Sequence, residues 1–286
     1  ADVTEEQRAT LIDQAKLLGW LIEITQSWLL VEDDVMDSSK TRRGQPCWYL
    51  NTDIGLRAIN DGFLLQSHVF FMLKRHFRTL PFYTTLLELF LEVTYQTELG
   101  QQLDLTSQPA DGSVDLARFT LDRHELIVRY KTAYYTFYLP IACAMLLTGM
   151  TPETHAEAFQ TTNAICEATG VYFQVSDDYL DCYQDPELLG KIGTDIQENK
   201  CSWLVCQALL RATEEQKTLL RDNYGRDDDE CVERVKQLYR DLDLENVYRS
   251  YEEQVVAEIR EQIAQVDFMP QSVLSQMVDK IYRRSK

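Results

Sequence analysis

The chain has 286 residues, and its 46 acidic and 28 basic side chains give a net charge of −18. This acidity argues against nucleic acids and anionic membrane surfaces as partners, because both are bound through Lys and Arg that neutralise phosphates. Hydrophobic residues make up 45% of the chain, enough for a large core, whereas only 11 Gly and 7 Pro disfavour a fold with many strands and tight turns.

Helical periodicity extends over nearly the whole sequence. Apolar residues recur every three or four positions, and polar, Gly- or Pro-containing breaks separate the periodic stretches. No stretch alternates with a period of two. We therefore predict one all-α domain over residues 1–286, with long helices around a shared interior. The predicted helices are 5–38, 55–78, 81–105, 115–129, 131–149, 152–184, 195–212, 214–224, 228–240, 244–265 and 270–284.

The stretch 131–149 is apolar and aromatic on all sides, which predicts a buried central helix. The alternative is that some of its rings line an apolar ligand cavity.

The chain start and the cysteines indicate a cellular setting. The first residues are polar and acidic rather than a secretory signal, and no apolar run is long enough to span a bilayer. The seven cysteines are scattered without a C-x-x-C pair, which argues against zinc ligation and a disulfide framework. We expect a cytoplasmic protein without membrane insertion, with several cysteines acting as small core residues.

Two acidic clusters with the same D-D-x-x-D spacing carry the main chemical signal. Each follows an apolar helical stretch, and residues four apart share a helix face, so the first and last carboxylates repel unless a cation joins them. Oxygen-only ligands suit Mg²⁺, which binds through carboxylates and substrate phosphates. Two facing clusters predict an acidic mouth for a diphosphate above an apolar cavity for a hydrocarbon tail. The clusters are Asp33, Asp34 and Asp37, and Asp177, Asp178 and Asp181.

Basic residues near these clusters are candidate phosphate ligands, because Arg provides bidentate donors and Lys a point charge. They are Lys40, Arg42, Arg43, Lys131, Lys191 and Lys200.

Together these motifs resemble the trans-isoprenyl diphosphate synthases, and within them most of all the eukaryotic farnesyl diphosphate synthases. The resemblance covers nearly the whole chain and implies an all-α prenyltransferase that acts on a prenyl diphosphate and forms a homodimer. The matching segments are 33–37, 41–49, 95–104, 130–133, 173–174, 177–181, 190–196, 199–203 and 280–284.

The resemblance also implies roles for individual residues. Three Mg²⁺ ions would be held with the allylic diphosphate by Asp33, Asp37 and Asp177, supported by Asp34, Asp178 and Asp181. The diphosphate would be bound by Arg42, Lys191 and Lys200, and the allylic cation stabilised by Lys131, Thr132 and Gln174. Isopentenyl diphosphate would be received by Gln26, Arg43, Phe173 and Arg284, and further substrate contacts would come from Gln101 and Asp104.

Several positions depart from the family pattern. Trp28 and Leu29 stand where two aromatic residues floor the product pocket, so Trp28 should keep the pocket short and Leu29 should open space beside it. Glu32 replaces a small Ala, while Ser176 and Gln184 replace the usual Gln and Gly. The family's Gly-Lys-x-x-Arg motif upstream of the first cluster does not occur in this sequence, so we expect a domain that lacks the family's N-terminal helices.

Two enzyme functions are consistent with this pattern. The first is condensation of an allylic diphosphate with isopentenyl diphosphate to give farnesyl diphosphate, favoured by Gln26, Arg43, Phe173 and Arg284. The second is a derived terpene synthase that converts farnesyl or geranyl diphosphate without isopentenyl diphosphate, favoured by the missing motif and the altered cavity residues. We expect the first. An inactive partner subunit is disfavoured because both acidic clusters are intact.

Overall fold

A computed structural model describes residues 4–109, 113–185 and 193–283, so the predicted site residues Lys191 and Arg284 lie outside the described residues. The all-α prediction is confirmed. The helices are α1 (Glu5–Met36), α2 (Ala58–Phe77), α3 (Tyr83–Leu105), α4 (Leu121–Val128), a π-helical segment (Arg129–Tyr138), α5 (Leu139–Leu147), α6 (Ala156–Tyr183), α7 (Trp203–Arg211), α8 (Glu214–Asn223), α9 (Asp229–Asp241), α10 (Leu244–Ala264) and α11 (Gln271–Ile281). Short 3₁₀ turns occur at Trp48–Leu50, Gly55–Arg57 and Leu116–Arg118.

Side-chain caps fix where many of these helices begin. Thr4 and Gln7 form a reciprocal capping box at α1, and Thr213 and Gln216 form another at α8. Ser202 accepts from the Val205 N–H at the start of α7. Each such contact satisfies a backbone donor that the first turn leaves without a partner.

The structure differs from the predicted elements in four places, and one is the predicted helix 115–129, which begins only at Leu121 after a 3₁₀ turn at Leu116–Arg118. A two-residue β-hairpin, β1 (Thr41–Arg42) and β2 (Gln45–Pro46), was not predicted. Arg43 and Gly44 turn it with positive φ at both positions, the geometry that antiparallel strand twist favours. The predicted helix 195–212 begins only at Trp203, because Asn199 adopts a left-handed φ of 57°. The predicted break near residue 130 is absent, since the π-helical segment continues from α4 into α5.

The chain groups into two compact units, and each has its own core. Unit 1 comprises the described parts of 1–97 and 134–166. Within it, α1 packs against α2 and α5, and the buried residues include Leu21 and Trp28 on α1 and Phe77 on α2.

Unit 2 comprises the described parts of 98–133 and 167–286. Its core gathers Val175 on α6, Leu204 on α7, Leu220 on α8 and Val235 on α9. Contacts of α4 and α10 with α7 place the start of α7 among these helices. Over the described residues of both units, we find no helix with the length and apolarity that crossing a membrane requires.

Burial of the stretch 131–149 agrees with its sequence pattern. Ala133, Leu139 and Ala142 are almost fully buried, although Ala144 is exposed.

The prediction that several cysteines are core residues is also confirmed. The buried thiols are those of Cys47, Cys143, Cys166, Cys182, Cys201 and Cys206.

Gly100 on α3 permits a close approach between two elements of unit 2. A Cβ at Gly100 would lie 2.1 Å from the Lys131 backbone nitrogen and 2.5 Å from the Tyr130 carbonyl carbon. These are backbone atoms, so they cannot move aside as the end of a flexible side chain would. Gly100 therefore sets the distance between α3 and the start of the π-helical segment.

Replacing this glycine should destabilise the protein strongly. We predict that Gly100→Ala lowers the free energy of unfolding by about 3 kcal/mol, the upper range for overpacking. The matched control is Gly19→Ala on α1, where no atom lies within 4 Å of the added methyl group. This control should gain about 0.5–1 kcal/mol from helix propensity. Urea unfolding of both variants tests the prediction, and equal stability for the two would contradict it.

Candidate active site

The first acidic cluster lies at the carboxyl end of α1, in unit 1. Asp33 and Asp37 are half-buried, whereas Asp34 is only 3% exposed. Successive helical residues are rotated by about 100°, so Asp34 points away from the face that Asp33 and Asp37 share. The three carboxylates of the motif therefore meet two different environments.

The unpredicted hairpin delivers Arg42 to the buried member of this cluster. Arg42 Nη2 donates to Asp34 Oδ1 at 2.6 Å and to Asp33 Oδ2 at 3.3 Å, and Nε also donates to Asp34 Oδ1 at 3.1 Å. Burial works to lower the pKa of Arg42, but the neighbouring carboxylates outweigh it and raise that pKa. The geometry thus joins the hairpin to the end of α1 through a charged pair.

Two further groups border the first cluster. Burial and the nearby Asp34 carboxylate raise the pKa of the Cys47 thiol to about 11, so Cys47 remains a neutral thiol. The Glu32 carboxyl group lies over Gly62 of α2, where a Cβ would come within 2.0 Å of Glu32 Oε1. Burial raises the pKa of Glu32. A glycine on α2 therefore makes room for the glutamate that stands in place of the usual alanine.

The second acidic cluster lies near the end of α6, in unit 2. Asp177 is half-buried, while Asp178 and Asp181 are 5% and 8% exposed. Asp181 Oδ2 accepts from the Asp195 N–H at 3.1 Å, which connects α6 to the turn that precedes Lys200. As in the first cluster, the second aspartate is buried and the first is not.

Asp178 is fully engaged with groups of the protein. Its Oδ2 bonds to His124 Nε2 at 2.8 Å and accepts from the Trp203 N–H at 2.7 Å. Its Oδ1 accepts from Gln174 Nε2 at 3.1 Å. Burial works to lower the pKa of His124, but the hydrogen bond to Asp178 and the negative charges nearby together outweigh burial and raise that pKa. Asp178 therefore links α4, α6 and the first turn of α7.

Asp104, predicted from the resemblance to contact substrate, organises two lysines. Its Oδ2 accepts from Lys131 Nζ at 2.7 Å and from Lys200 Nζ at 3.3 Å. Burial alone would raise the pKa of Asp104, but the two ammonium groups outweigh it and lower the pKa to about 2. Asp104 thus fixes two cations on different segments of unit 2 at one point.

The remaining predicted residues occupy varied positions. Thr132 Oγ1 donates to Gln174 Oε1 at 3.3 Å. Gln101 lies on α3, and its buried Nε2 has no hydrogen-bond partner among the described residues, as expected of a group that binds a ligand. Arg43 is exposed at the hairpin turn, and Trp28 is 6% exposed. Half-buried predicted residues include Gln26, Leu29 and Phe173.

The basic tail is held to unit 2 through its backbone. Glu252 on α10 is 6% exposed and accepts from Tyr172 Oη at 2.7 Å and Tyr248 Oη at 3.1 Å. The same Oε1 atom accepts from the Arg283 N–H at 3.4 Å. This contact joins the last described residue to α6 and α10.

Comparison with known proteins identifies the chain. The polyprenyl synthetase family model matches residues 2–242.

The chain belongs to the polyprenyl synthetase family.

Two similar members of this family are farnesyl pyrophosphate synthases of yeasts. The Candida albicans protein is 51% identical over 94% of this chain and 77% of its own length. The Schizosaccharomyces pombe protein is 51% identical over 96% of this chain and 78% of its own. A solved T. brucei farnesyl diphosphate synthase in complex with a bisphosphonate superposes with a TM-score of 0.92. It is 38% identical and aligns over 99% of this chain and 82% of that chain. The predicted isoprenoid synthase fold is therefore confirmed.

Polyprenyl synthetases in general depend on Mg²⁺, and the acidic clusters fit that ion. In the described parts of the chain no three His, Cys, Asp or Glu side chains form a preformed metal site. Each cluster offers only carboxylate oxygens, the donors that Mg²⁺ prefers, and Mg²⁺ commonly completes its shell with water and substrate phosphates. Asp33, Asp37 and Asp177 are the half-buried carboxylates of the two motifs.

His124 is the site residue that sequence reasoning missed. The partner of His124 lies 54 residues away on another helix. No pattern of neighbouring residues in the sequence indicates a contact between two residues so far apart.

The low pKa of Asp104 predicts how stability depends on pH. The folded pKa of about 2 lies below the ordinary value of 3.8, so the stabilisation is present above pH 3.8 and is lost as the pH falls through about 2. This difference in pKa between the unfolded and folded states corresponds to about 2 kcal/mol in the free energy of unfolding. At neutral pH, Asp104→Asn should therefore lower the free energy of unfolding by at least that amount, measured by urea titration at fixed protein concentration.

The exposed Asp222→Asn on α8 serves as the control and should remain within about 0.5 kcal/mol of wild type. A ¹³C carboxyl titration that gives Asp104 an ordinary pKa would contradict the assigned ion pair.

Proposed function

We propose that this chain is a Mg²⁺-dependent short-chain prenyltransferase that condenses an allylic prenyl diphosphate with isopentenyl diphosphate to give farnesyl diphosphate. The observation that carries this conclusion is the 51% identity to two farnesyl pyrophosphate synthases over 94% and 96% of the chain. The terpene synthase alternative has no comparable support from the similar proteins. The function predicted first from sequence is therefore the one adopted.

In this proposal the half-buried aspartates hold the metal. Asp33, Asp37 and Asp177 would bind three Mg²⁺ ions with the allylic diphosphate. Bound Mg²⁺ neutralises charge on the departing diphosphate. Asp34 and Asp181 support this site from their protein-bonded positions, Asp34 through Arg42 and Asp181 through the Asp195 N–H.

The cations of unit 2 would bind and orient the diphosphate. Lys200 and Lys131 converge on Asp104 Oδ2, which fixes their positions without neutralising both charges. Both ammonium groups are proposed to bind the substrate phosphates. Lys191, which lies outside the described residues, and Arg42 are proposed for the same task, and Gln101 for a further substrate contact.

The chemistry then requires stabilisation of positive charge at the allylic carbon. As the diphosphate leaves, a new carbon–carbon bond forms to the isopentenyl group, and a proton is lost from the coupled cation. Lys131, Thr132 and Gln174 are proposed to lie beside the reacting carbon. The Thr132 and Gln174 dipoles would stabilise the positive charge that develops there, and the Lys131 ammonium group would hold the departing diphosphate. The proposed isopentenyl diphosphate contacts are Gln26, Arg43, Phe173 and Arg284.

The length of the product is proposed to depend on α1. Trp28 is 6% exposed and Leu29 is half-buried, one turn before the first cluster. Here Trp28 would limit the growing chain and Leu29 would provide the space beside it.

Product analysis tests the reaction directly. With Mg²⁺, geranyl diphosphate and isopentenyl diphosphate, gas chromatography of the dephosphorylated products should show farnesol. With farnesyl diphosphate alone it should show no hydrocarbon or terpene alcohol. A cyclised product from farnesyl diphosphate alone would instead support the terpene synthase.

Loss of the proposed metal ligand should abolish this activity without unfolding the protein. We expect Asp177→Ala to reduce turnover by at least about 1,000-fold, because metal stabilisation of the leaving group is removed. Asp177 is only half-buried, so its loss should leave thermal unfolding close to that of wild type. Asp222→Ala is the matched control, and full turnover in Asp177→Ala would refute the metal assignment.

We also propose that the chain functions as one cytoplasmic domain that pairs into a homodimer. Large exposed apolar side chains on α2 and on α3 support the dimer. Phe63 and Phe71 are 60% and 58% exposed, and Leu91 and Tyr95 are 50% and 58% exposed. They recur at intervals of four and eight residues, so each pair shares one helix face. Exposed large apolar side chains grouped on a helix face are typical of an interaction site.

Charge placed on this face should separate the dimer. We predict that Phe71→Glu shifts the mass measured by light scattering from about twice 33.3 kDa to about 33.3 kDa. The control Leu210→Glu alters a side chain that is 68% exposed on α7 and should leave the mass unchanged. A wild-type protein that is monomeric at micromolar concentration would contradict the proposed dimer.

A further inference from the structure

A chain of hydrogen bonds in unit 2 joins α4 to the π-helical segment through α6. It runs from His124 through Asp178 and Gln174 to Thr132. Its first two members are 4% and 5% exposed, so water does not compete for these contacts. Each link permits only one direction of hydrogen bonding, and the direction is set at Asp178.

Asp178 imposes the direction because a carboxylate only accepts hydrogen bonds. Its Oδ2 is 2.8 Å from His124 Nε2 and 2.7 Å from the Trp203 nitrogen, so both of these nitrogens carry the proton. Its Oδ1 lies 3.1 Å from the Gln174 side chain. That side chain must therefore turn its amide nitrogen, and not its amide oxygen, toward Asp178.

The orientation of Gln174 then fixes the hydroxyl group of Thr132. With its nitrogen at Asp178, Gln174 presents Oε1 to Thr132 Oγ1 at 3.3 Å. An amide oxygen only accepts, so the Thr132 hydroxyl donates its single proton to Gln174. What Thr132 can offer to any other neighbour is then a lone pair, not a proton.

We propose that His124 is a positioning residue for the reaction, which through Asp178 and Gln174 makes Thr132 present its oxygen lone pairs to the allylic substrate. This inference rests on the proposed function, in which Thr132 and Gln174 lie beside the carbon that becomes cationic. A lone pair directed at positive charge stabilises it, whereas an O–H directed at the same carbon opposes it. His124 acts through other residues and does not itself touch the substrate.

The substitution Asp178→Asn reverses the direction of these hydrogen bonds while preserving the shape of the side chain. The two donors at the Oδ2 position require an oxygen there, so the new amide nitrogen must face Gln174. Gln174 then turns its amide oxygen to the new side chain at position 178 and its amide nitrogen to Thr132. The Thr132 hydroxyl group therefore no longer donates its proton to Gln174. We expect kcat to fall about 100-fold, with the KM for both substrates within about threefold of wild type.

Substitutions of His124 separate positioning from folding. His124→Phe removes the donor and should lower kcat about tenfold. His124→Gln places an amide N–H at a similar reach and should restore kcat to within about threefold of wild type. The control is His76→Phe on α2, an exposed histidine whose replacement should leave kcat unchanged. Circular dichroism of all variants reports whether the helices persist.

A readout independent of turnover tests the direction itself. In ¹H–¹⁵N spectra the Gln174 side-chain amide protons should shift downfield beside the carboxylate, and Asp178→Asn should remove this shift. His124→Gln should retain it.

Wild-type kcat in Asp178→Asn, or a His124→Gln enzyme as slow as His124→Phe, would overturn the inference. So would a Gln174 signal that is unaffected by Asp178→Asn. If wild type forms no farnesyl diphosphate while the Gln174 signals behave as expected, the proposed function fails and the direction of the chain stands.

Discussion

Buried carboxylates determine how unit 2 is organised. A buried charge is tolerated only when hydrogen bonds replace the lost water, and here each such group gathers donors from different segments. Asp104, Asp178 and Glu252 are between 5% and 9% exposed. Each joins parts of the chain that are far apart in sequence, so site residues are held in place before any substrate arrives. The donors to Asp104 are Lys131 and Lys200. Those to Asp178 are His124, Gln174 and the Trp203 N–H. Those to Glu252 are Tyr172, Tyr248 and the Arg283 N–H.

The same principle divides each acidic motif into two kinds of carboxylate. In unit 1 Asp34 is turned to Arg42, and in unit 2 Asp178 is turned to His124 and the start of α7. The preceding residue of each motif, Asp33 or Asp177, remains half-buried. The second aspartate of each D-D-x-x-D motif therefore fixes the local structure, and the first is the one that we propose to contact the cation and the diphosphate.

Helical periodicity and composition predicted most of the fold. Long amphipathic stretches such as α1, α6 and α10 appeared in the sequence at nearly their observed bounds, because apolar spacing is a local signal, strengthened at α1 by the Thr4 cap. The hairpin was missed because two-residue strands have no period, and it depends on positive φ at Arg43 and Gly44. The start of α7 was placed eight residues early because the left-handed φ of Asn199 leaves no signature in composition.

The candidate site was predicted in its charged residues and missed in their connections. The D-D-x-x-D spacing identified all six aspartates, but spacing alone cannot show that Asp178 bonds His124 or that Asp104 receives two lysines. Those contacts form between helices that only the tertiary fold brings together. Calorimetry with Mg²⁺ and inorganic pyrophosphate on Asp177→Asn and Asp178→Asn tests this division of roles most directly. We predict that Asp177→Asn weakens binding about 100-fold and that Asp178→Asn stays within about threefold of wild type. Equal losses in both variants, or unchanged binding in Asp177→Asn, would contradict the account.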